Sequence, residues 1–472
     1  MLKIILGFSF ALLLICVPPG ARAQSHATAA STPTAAQSID GDWDGTLTVS
    51  VIKLRLALHI RTDATGTKGT IDSIDQQAMG IPISKIDRDA GAVTFEIALV
   101  NAAFKAVLDP TGQTLKGEWR QGSNALPLIL TRRQPGQVQP VSARPQTPKK
   151  PYPYREEEIS FSKDAAQFRL AGTLTIPQGA GPFPAVVLVA GSGPNTRNEP
   201  ILGHEPFLVI ADHLTRHGIA VLRYDKRGTG ASGGAYATAT TRDFADDAQA
   251  ALAYLKNRPE VDARHIGLIG HSEGGLIAPI VATHDLSAAF IVMMAGPGVN
   301  GAAVWLEQLK LVLAAEGMAA DKIAAAVAQR QRTIEILLSE SDANTAAPKL
   351  RALMSGDAPA AQVEAAIAAV NNQWFREFLH YEPAPTLRKV NCPVLILQGS
   401  KDLQVSAAQN LPAIRTALRS NRHVEIVELP GLNHLFQSAQ TGGPSEYSQI
   451  EETIAPAALD ILTRWIIRQA TP

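Results

Sequence analysis

The chain has 472 residues, and its 43 Lys and Arg balance its 43 Asp and Glu, so the formal net charge is +0 at pH 7. This length exceeds what one hydrophobic core usually organises and predicts two or three domains. The balanced charge supplies no basic field for nucleic acid and no acidic field for cations, which favours a small-molecule partner.

The N-terminus has the three zones of a secretory signal peptide. Lys3 precedes an apolar run over residues 4–17, and the small residues around Ala23 follow. We therefore predict that residues 1–23 direct export to the periplasm or the cell exterior and are removed near Ala23. The run is shorter than the roughly 20 residues that span a bilayer, so no stable membrane anchor is expected. Residues 24–38 are rich in Ser, Thr and Ala and predict a flexible leader.

The chain has two cysteines, Cys16 and Cys392. Cys16 would be removed with the signal peptide, so no disulfide within the chain is predicted. Cys392 comes just before an apolar strand and is interpreted as a small buried residue rather than a reactive thiol.

Residues 39–133 alternate apolar and polar side chains, and a period of two is typical of strands. The clearest runs lie at residues 54–60, 95–99 and 126–130, and Leu99 is assigned to the apolar face of the second run. We predict an antiparallel β-barrel or β-sandwich domain. Two roles remain open for it: binding a ligand, or packing as a cover on the rest of the protein.

Residues 134–155 are rich in proline and predict an extended, semi-rigid linker. In residues 156–472, short apolar strands alternate with longer helical segments, which predicts a mostly parallel, doubly wound sheet covered by helices on both faces. An Ala-rich helical pattern over residues 299–385 predicts an insertion that forms a lid. Its apolar stripes are interpreted mainly as packing and in part as a candidate acyl pocket. They contain Trp305, Leu306, Leu309, Leu313, Trp374, Phe375, Phe378 and Leu379.

The motif Gly270-His271-Ser272-Glu273-Gly274 follows an apolar strand and precedes a helical run. In that context Gly-x-Ser-x-Gly predicts a nucleophile elbow, a strained turn that presents a serine hydroxyl to a base. Small residues at both ends leave room for the turn. Ser272 is the candidate nucleophile.

An acid and a histidine follow Ser272 in the expected order. Asp402 comes after the apolar strand at residues 394–399, and His434 comes after the strand at residues 424–429. Loops at the carboxyl ends of strands are where such residues lie in open parallel sheets. We predict a triad in which His434 takes the serine proton and Asp402 holds the imidazole tautomer.

A tetrahedral intermediate also needs N–H donors for its oxyanion. The backbone N–H of Glu273, directly after the nucleophile, is one candidate. Ser192 in the loop Gly191-Ser192-Gly193-Pro194 is the other, since Pro194 has no N–H.

On these motifs, residues 156–472 resemble the alpha/beta-hydrolase family, in particular its serine aminopeptidase and carboxylesterase-like group. The run from Arg223 to Ser232 belongs to the same resemblance, which implies that Asp225 and Arg227 brace a structural turn. One position departs from the pattern: Ala190 stands where a histidine often precedes the oxyanion glycine.

The residues favour a carboxylesterase that acts on a small-molecule ester or acyl substrate, with no nucleic acid partner. A peptidase or aminopeptidase would use the same triad and would need carboxylates for the substrate N-terminus, for which Glu205 and Glu307 are candidates. A thioesterase or lactonase fits equally, and a ligand-binding protein without turnover is the alternative of another class. A haloalkane dehalogenase is disfavoured because it needs a carboxylate in place of Ser272. No metal-ligand cluster or nucleotide-binding loop is apparent, so no cofactor is expected.

Overall fold

The computed structural model describes residues 38–49, 52–64, 66–76, 78–89, 91–121, 124–134, 136–137, 143–162, 168–285, 287–355 and 360–470. The predicted signal peptide and residues 24–37 of the predicted leader lie outside these ranges, so both stay predictions. Within them, no helix combines the length and the apolar character needed to cross a membrane.

The described residues form two compact units. The first contains the residues up to 142 together with Ala347–Ala369, and the second contains Ala143–Ala346 and the residues from Val370 onward. The predicted helical insertion at residues 299–385 therefore contributes residues to both units.

The first unit contains one nine-stranded sheet in the order β4-β3-β2-β1-β9-β8-β7-β6-β5. Every neighbouring pair is antiparallel. Because the strands belong to a single sheet, the barrel-like alternative describes this region better than a sandwich of two sheets. The strands β1 to β9 are Gly41–Val49, Ile52–Asp63, Gly66–Ser73, Ala78–Pro82, Lys85–Asp89, Ala92–Ile97, Ala102–Leu108, Thr114–Gln121 and Asn124–Arg132.

The alternating apolar residues of these strands fill one core. Trp43 and Trp119 are fully buried there, and Leu56 and Leu58 are buried on the same face of β2. Leu99 does not join them: residues Ala98–Val100 form a turn of 3-10 helix, which ends the period of two, and Leu99 is 47% exposed.

The second unit contains an eight-stranded sheet in the order β10-β11-β13-β12-β14-β15-β16-β17. Strands β10, β11 and β13 pair antiparallel, and the pairs from β13 through β12 to β17 are parallel. The strands β10 to β17 are Arg155–Phe161, Leu170–Ile176, Phe183–Val189, Ala220–Tyr224, Val261–His271, Phe290–Met294, Val394–Gly399 and Val424–Leu429.

Helices connect the strands of this sheet, and six of the described helices, all within residues 301–387, lie between β15 and β16. The continuous burial of β13, β15 and β16 agrees with a sheet covered on both faces. The helices α1 to α11 are Pro206–Arg216, Thr241–Lys256, Gly274–His284, Gly301–Ala315, Ala320–Ser339, Ala343–Met354, Ala360–Val370, Gln373–His380, Pro383–Leu387, Ala407–Ala417 and Pro456–Ala470.

The described end of the Pro-rich linker, residues 143–154, is anchored to the second unit. Arg144 donates hydrogen bonds to the carbonyls of Leu202, Ser448 and Ile450. Gln146 donates to the carbonyl of Ile454 at 2.7 Å. These residues contain no helix or strand, as the prolines predict, but side-chain contacts fix their path.

Candidate active site

Ser272 lies on a strained turn between β14 and α3. Its φ angle is 54°, its N–H donates to the carbonyl of Met294 at 2.9 Å, and its side chain is half-buried. A Cβ on Gly270 would come within 1.9 Å of the carbonyl oxygen of Gly274, and a Cβ on Gly274 would come within 2.0 Å of the carbonyl oxygen of Val189. The turn therefore requires glycine at both positions, as a nucleophile elbow does.

Asp402 and His434 form a buried pair at the carboxyl ends of β16 and β17. The Nδ1 atom of His434 is 2.9 Å from Oδ2 of Asp402, and the two side chains are 5% and 0% exposed. The other carboxylate oxygen of Asp402 accepts the backbone N–H groups of Gln404 and Val405, both at 2.8 Å. These bonds immobilise the carboxylate, which in turn orients the imidazole.

The loop that carries His434 is attached to the turn that carries Ser272. The Nε2 atom of His271, the residue before Ser272, is 3.0 Å from the carbonyl oxygen of His434, and the two imidazole rings are 4.9 Å apart between centroids. Among the described residues, no hydrogen bond joins the Ser272 hydroxyl to His434. The structure thus pairs two of the three predicted triad residues directly and links the third through its neighbour. A hydrogen bond between a catalytic nucleophile and its base is often long until substrate binds.

The loop after β12 lies against the serine, since a Cβ on Gly191 would be 3.1 Å from Cβ of Ser272. The N–H of Gly191 already donates to Oε1 of Glu199 at 2.6 Å. Within the described part of the chain, the backbone N–H groups of Ser192 and Glu273 have no acceptor. The sequence predicts these two amides as oxyanion donors, and both N–H groups can donate to a ligand.

A buried ion pair lies beside the elbow. Nδ1 of His271 is 3.1 Å from Oε1 of Glu199, and the side chains are 10% and 9% exposed. Burial alone would lower the pKa of His271, but the charge and hydrogen bond of Glu199 outweigh it and raise that pKa above its usual value. Glu199 belongs to no motif recognised in the sequence, so its residue pattern does not predict this pair.

A second buried ion pair joins Lys226 to Glu273. Nζ of Lys226 is 3.0 Å from Oε2 of Glu273, and their side chains are 3% and 1% exposed. The other oxygen of Glu273 accepts the hydroxyl of Thr241 at 2.7 Å and the indole N–H of Trp374, on α8, at 2.6 Å. The elbow motif predicts a role for the backbone of Glu273 only and does not predict these side-chain partners, although Lys226 lies within the recognised Arg223–Ser232 run.

Asp225 and Arg227 are engaged in the scaffold on either side of Lys226. Burial raises the pKa of the Asp225 carboxyl, but hydrogen bonds from Arg197 and from the N–H of Ala231 outweigh it, so its pKa is lower than usual. Arg227 pairs with Asp247 on α2 at 2.7 Å. These contacts agree with the bracing role that the resemblance implies.

Cys392 is free and half-buried. Burial raises the pKa of its thiol to about 11, so the thiol stays protonated at neutral pH. In the ranges that the structure covers, no group of three His, Cys, Asp or Glu side chains is arranged to hold a metal ion.

A protein-family model and several known proteins are similar to this chain. A protein-family model described as "Serine aminopeptidase, S33" matches residues 206–438, a span that contains Ser272, Asp402 and His434. This match and the curated relative support an alpha/beta-hydrolase family for the chain. The hydrolase is 29% identical to Esterase EstD of Thermotoga maritima over 316 residues, which are 67% of this chain and 69% of the relative.

Solved structures also resemble the hydrolase. An esterase of Pyrococcus furiosus is 15% identical with a TM-score of 0.43, over 67% of this chain and 92% of that one. The Est1E protein of Butyrivibrio proteoclasticus, solved with ferulic acid, is 17% identical with a TM-score of 0.40, over 66% and 99% of the two chains.

Proposed function

We propose that the hydrolase cleaves carboxylic esters of small molecules, with Ser272 as nucleophile, His434 as base and Asp402 as the group that orients the base. The observation that carries the proposal is the buried Asp402–His434 pair, held by His271 to the strained turn of Ser272. A carboxylate on Nδ1 leaves Nε2 of His434 to accept the serine proton.

In this mechanism the Ser272 oxygen attacks the ester carbonyl while His434 takes the hydroxyl proton. The N–H groups of Ser192 and Glu273 receive the negative charge that develops on the carbonyl oxygen, and such donors are worth about 3 to 4 kcal/mol each. Collapse of the intermediate passes the proton to the departing alcohol and leaves an acyl group on Ser272. Water, deprotonated by His434, then releases the acid.

The electrostatics around the elbow favour an uncharged substrate. The carboxylates of Glu199 and Glu273 are compensated by His271 and Lys226, respectively. A peptidase that binds a substrate ammonium group needs an uncompensated carboxylate near the serine. The Thermotoga maritima relative is itself named as an esterase.

The peptidase is the second candidate, because the matching family model is described as a serine aminopeptidase. The carboxylates considered for that role have weaker partners than those at the elbow. Glu205 accepts a hydrogen bond from Asn198 at 2.8 Å, and Glu307 lies 3.5 Å from Nζ of Lys310. A thioesterase or lactonase would use the triad in the same way.

The test labels the purified protein with a fluorophosphonate and then measures turnover. Labelling is expected in the wild type and in Ser420→Ala, which alters an exposed serine, and is expected to vanish in Ser272→Ala. The same three proteins are assayed against p-nitrophenyl esters of graded acyl length and against aminoacyl p-nitroanilides. Faster hydrolysis of the anilides would favour the peptidase, and folded wild type that takes no label would favour a binding protein.

We further propose that α8, together with the helices α4 and α5 of the same unit, forms a lid over the site. The support comes from α8, whose Trp374 donates to the side chain of the residue after Ser272. Its aromatic residues pack together: Trp374 stacks on Phe378 at 5.6 Å between ring centroids, and Phe375 meets Trp305 edge to face at 4.8 Å.

Export is the last part of the proposal and rests on the N-terminal sequence alone. Expression of the full chain in a bacterium, followed by fractionation and N-terminal sequencing, is expected to give a periplasmic or secreted protein that begins after Ala23. Recovery of the uncleaved chain in the cytoplasm would contradict it.

A further inference from the structure

We infer that Lys226 is a positioning residue for the oxyanion hole: its ammonium group orients and polarises the peptide between Gly191 and Ser192. The inference rests on the proposed function and deepens it, because it assigns a role to a side chain outside the triad. Three observations carry it: the bond from Lys226 to Gly191, the burial of Lys226, and the attachment of Glu273 to both the lysine and the elbow.

The first observation concerns a single peptide group. Nζ of Lys226 donates to the carbonyl oxygen of Gly191 at 2.6 Å, and Nδ2 of Asn195 donates to the same oxygen at 2.9 Å. In a planar trans peptide, the C=O of one residue and the N–H of the next point in opposite directions. Fixing the Gly191 carbonyl therefore fixes the direction of the Ser192 N–H, the predicted oxyanion donor.

The second observation concerns charge. A cation on a carbonyl oxygen withdraws electron density through the peptide and makes its N–H a stronger donor. Water weakens this effect, but the Lys226 side chain is only 3% exposed. Its three N–H groups have three partners: the Gly191 carbonyl, the Glu273 carboxylate, and the face of the Phe244 ring at 4.3 Å.

The third observation joins the two predicted donors. Glu273 supplies the second donor from its own backbone, and its side chain is the counter-ion of Lys226. Thr241 and Trp374 hold that side chain from α2 and α8. One ion pair thus connects the peptide that contains the Ser192 N–H with the residue that contains the Glu273 N–H. It fixes the separation of the two donors before substrate binds. The site therefore needs little reorganisation during the reaction.

The test compares wild type with Lys226→Met and with the double variant Lys226→Met/Glu273→Gln. The single variant leaves the Glu273 carboxylate buried without its cation, which is destabilising. The double variant removes both charges and keeps an amide oxygen for Trp374 and Thr241. Each protein is assayed for kcat and KM on one p-nitrophenyl ester and for inhibition by an alkyl trifluoromethyl ketone, which forms a tetrahedral oxyanion adduct with an active-site serine.

Loss of one oxyanion donor typically lowers kcat by about 10²–10³-fold, so mispositioning a donor is expected to lower it by about 10- to 100-fold. The affinity for the ketone should fall by a similar factor, while KM stays near the wild-type value. If Lys226 had only a structural role, its loss would not lower the affinity for the ketone while leaving the KM for the ester unchanged.

Two further variants complete the design. Arg227→Gln disrupts a neighbouring ion pair to Asp247 and serves as the matched control; it is expected to lower thermal stability without a selective loss of ketone affinity. Asn195→Ala removes the other donor to the Gly191 carbonyl without leaving a buried charge, and a smaller loss of the same kind is expected.

If the wild type is active and the folded double variant keeps its kcat and its ketone affinity, the inference is wrong. If the double variant does not fold, Asn195→Ala decides, and unchanged kinetics there overturn the inference. If the wild type itself neither hydrolyses esters nor takes the fluorophosphonate label, the proposed function fails first, and the two failures are therefore distinguishable.

Discussion

The imidazole of His271 bridges two groups of the site: its Nδ1 faces the carboxylate of Glu199 at 3.1 Å, and its Nε2 faces the carbonyl oxygen of His434 at 3.0 Å. A carbonyl oxygen accepts only, and an ionised carboxylate also accepts only. When the carboxylate is ionised, both contacts are hydrogen bonds only if both ring nitrogens donate, and this arrangement favours the imidazolium form of His271, in line with its raised pKa. A neutral ring has a single N–H, so it could donate to only one of these two acceptors.

This bridge predicts how stability depends on pH. The folded-state pKa of His271 is raised above its ordinary value of 6.5, so its contribution to stability is full below that pH and is lost as pH rises through the folded pKa. Urea unfolding of the wild type should show the free energy of unfolding falling as pH increases above 6.5. In His271→Gln this fall should be smaller, and an identical pH dependence of the two proteins would contradict the prediction.

His204 should act in the opposite direction. Burial, followed by the charge of Arg144, lowers its pKa from 6.5 to about 4, because the neutral ring is buried between the hydroxyl of Thr453 and the carbonyl of Tyr447. Its stabilising contribution is present above pH 6.5 and is lost as pH falls toward 4, with a limit of about 3 kcal/mol at 1.36 kcal/mol per pKa unit.

Unfolding measurements at pH 7 and at pH 4 check this prediction. The difference in stability between the two pH values should shrink in His204→Gln by an amount of that order. No change in the difference would show that His204 does not couple protonation to folding.

Gly274→Ala should disrupt the elbow. Its Cβ would meet the carbonyl oxygen of Val189 at 2.0 Å, which forces a backbone shift, and we expect a loss of about 3 kcal/mol or more together with loss of fluorophosphonate labelling. Gly317→Ala is the control, since that Cβ has open space and only a left-handed φ of 75° to accommodate, at a cost of about 1 kcal/mol. Similar behaviour of the two variants would count against the steric argument.

Phe378→Ala tests whether the lid shapes the acyl pocket. Phe378 stacks on Trp374, which reaches the residue next to Ser272, so removal of the ring should shift the preferred ester toward longer acyl chains. Truncating a buried phenylalanine also costs about 3 to 5 kcal/mol. Ile334→Ala, a buried change on α5, should lower stability without changing the preference. Equal preferences in wild type and Phe378→Ala would exclude a role in the pocket.

The positions of Ser272, Asp402 and His434 can be predicted because each follows an apolar strand of a parallel sheet, and the carboxyl ends of such strands share one edge. The strand pattern and the order of the three residues are local signals. The order of the strands in the sheet is then enough to predict that the three residues form a triad. The structure pairs two of them, Asp402 and His434.

The partners of Glu199 and Glu273 cannot be predicted in the same way. Glu199 and His271 are 72 residues apart, and Lys226 and Glu273 are 47 residues apart, with no periodicity between them. Such pairs depend on how loops and helices pack around the sheet. Leu99 shows the same limit on a smaller scale, because a single 3-10 turn overrides an alternation that the residue types suggest.

The assignment of Ala347–Ala369 to the first unit has a consequence for any attempt to dissect the protein. Helix α7 buries Val363, Ala366 and Ile367, and Gln362 donates to the backbone of Ala125 in β9. The chain thus passes from the nine-stranded unit into the second unit at residue 143, and Ala347–Ala369 then belongs to the first unit again. Cleavage between residues 142 and 155 would therefore place the two chain segments of the first unit on different fragments.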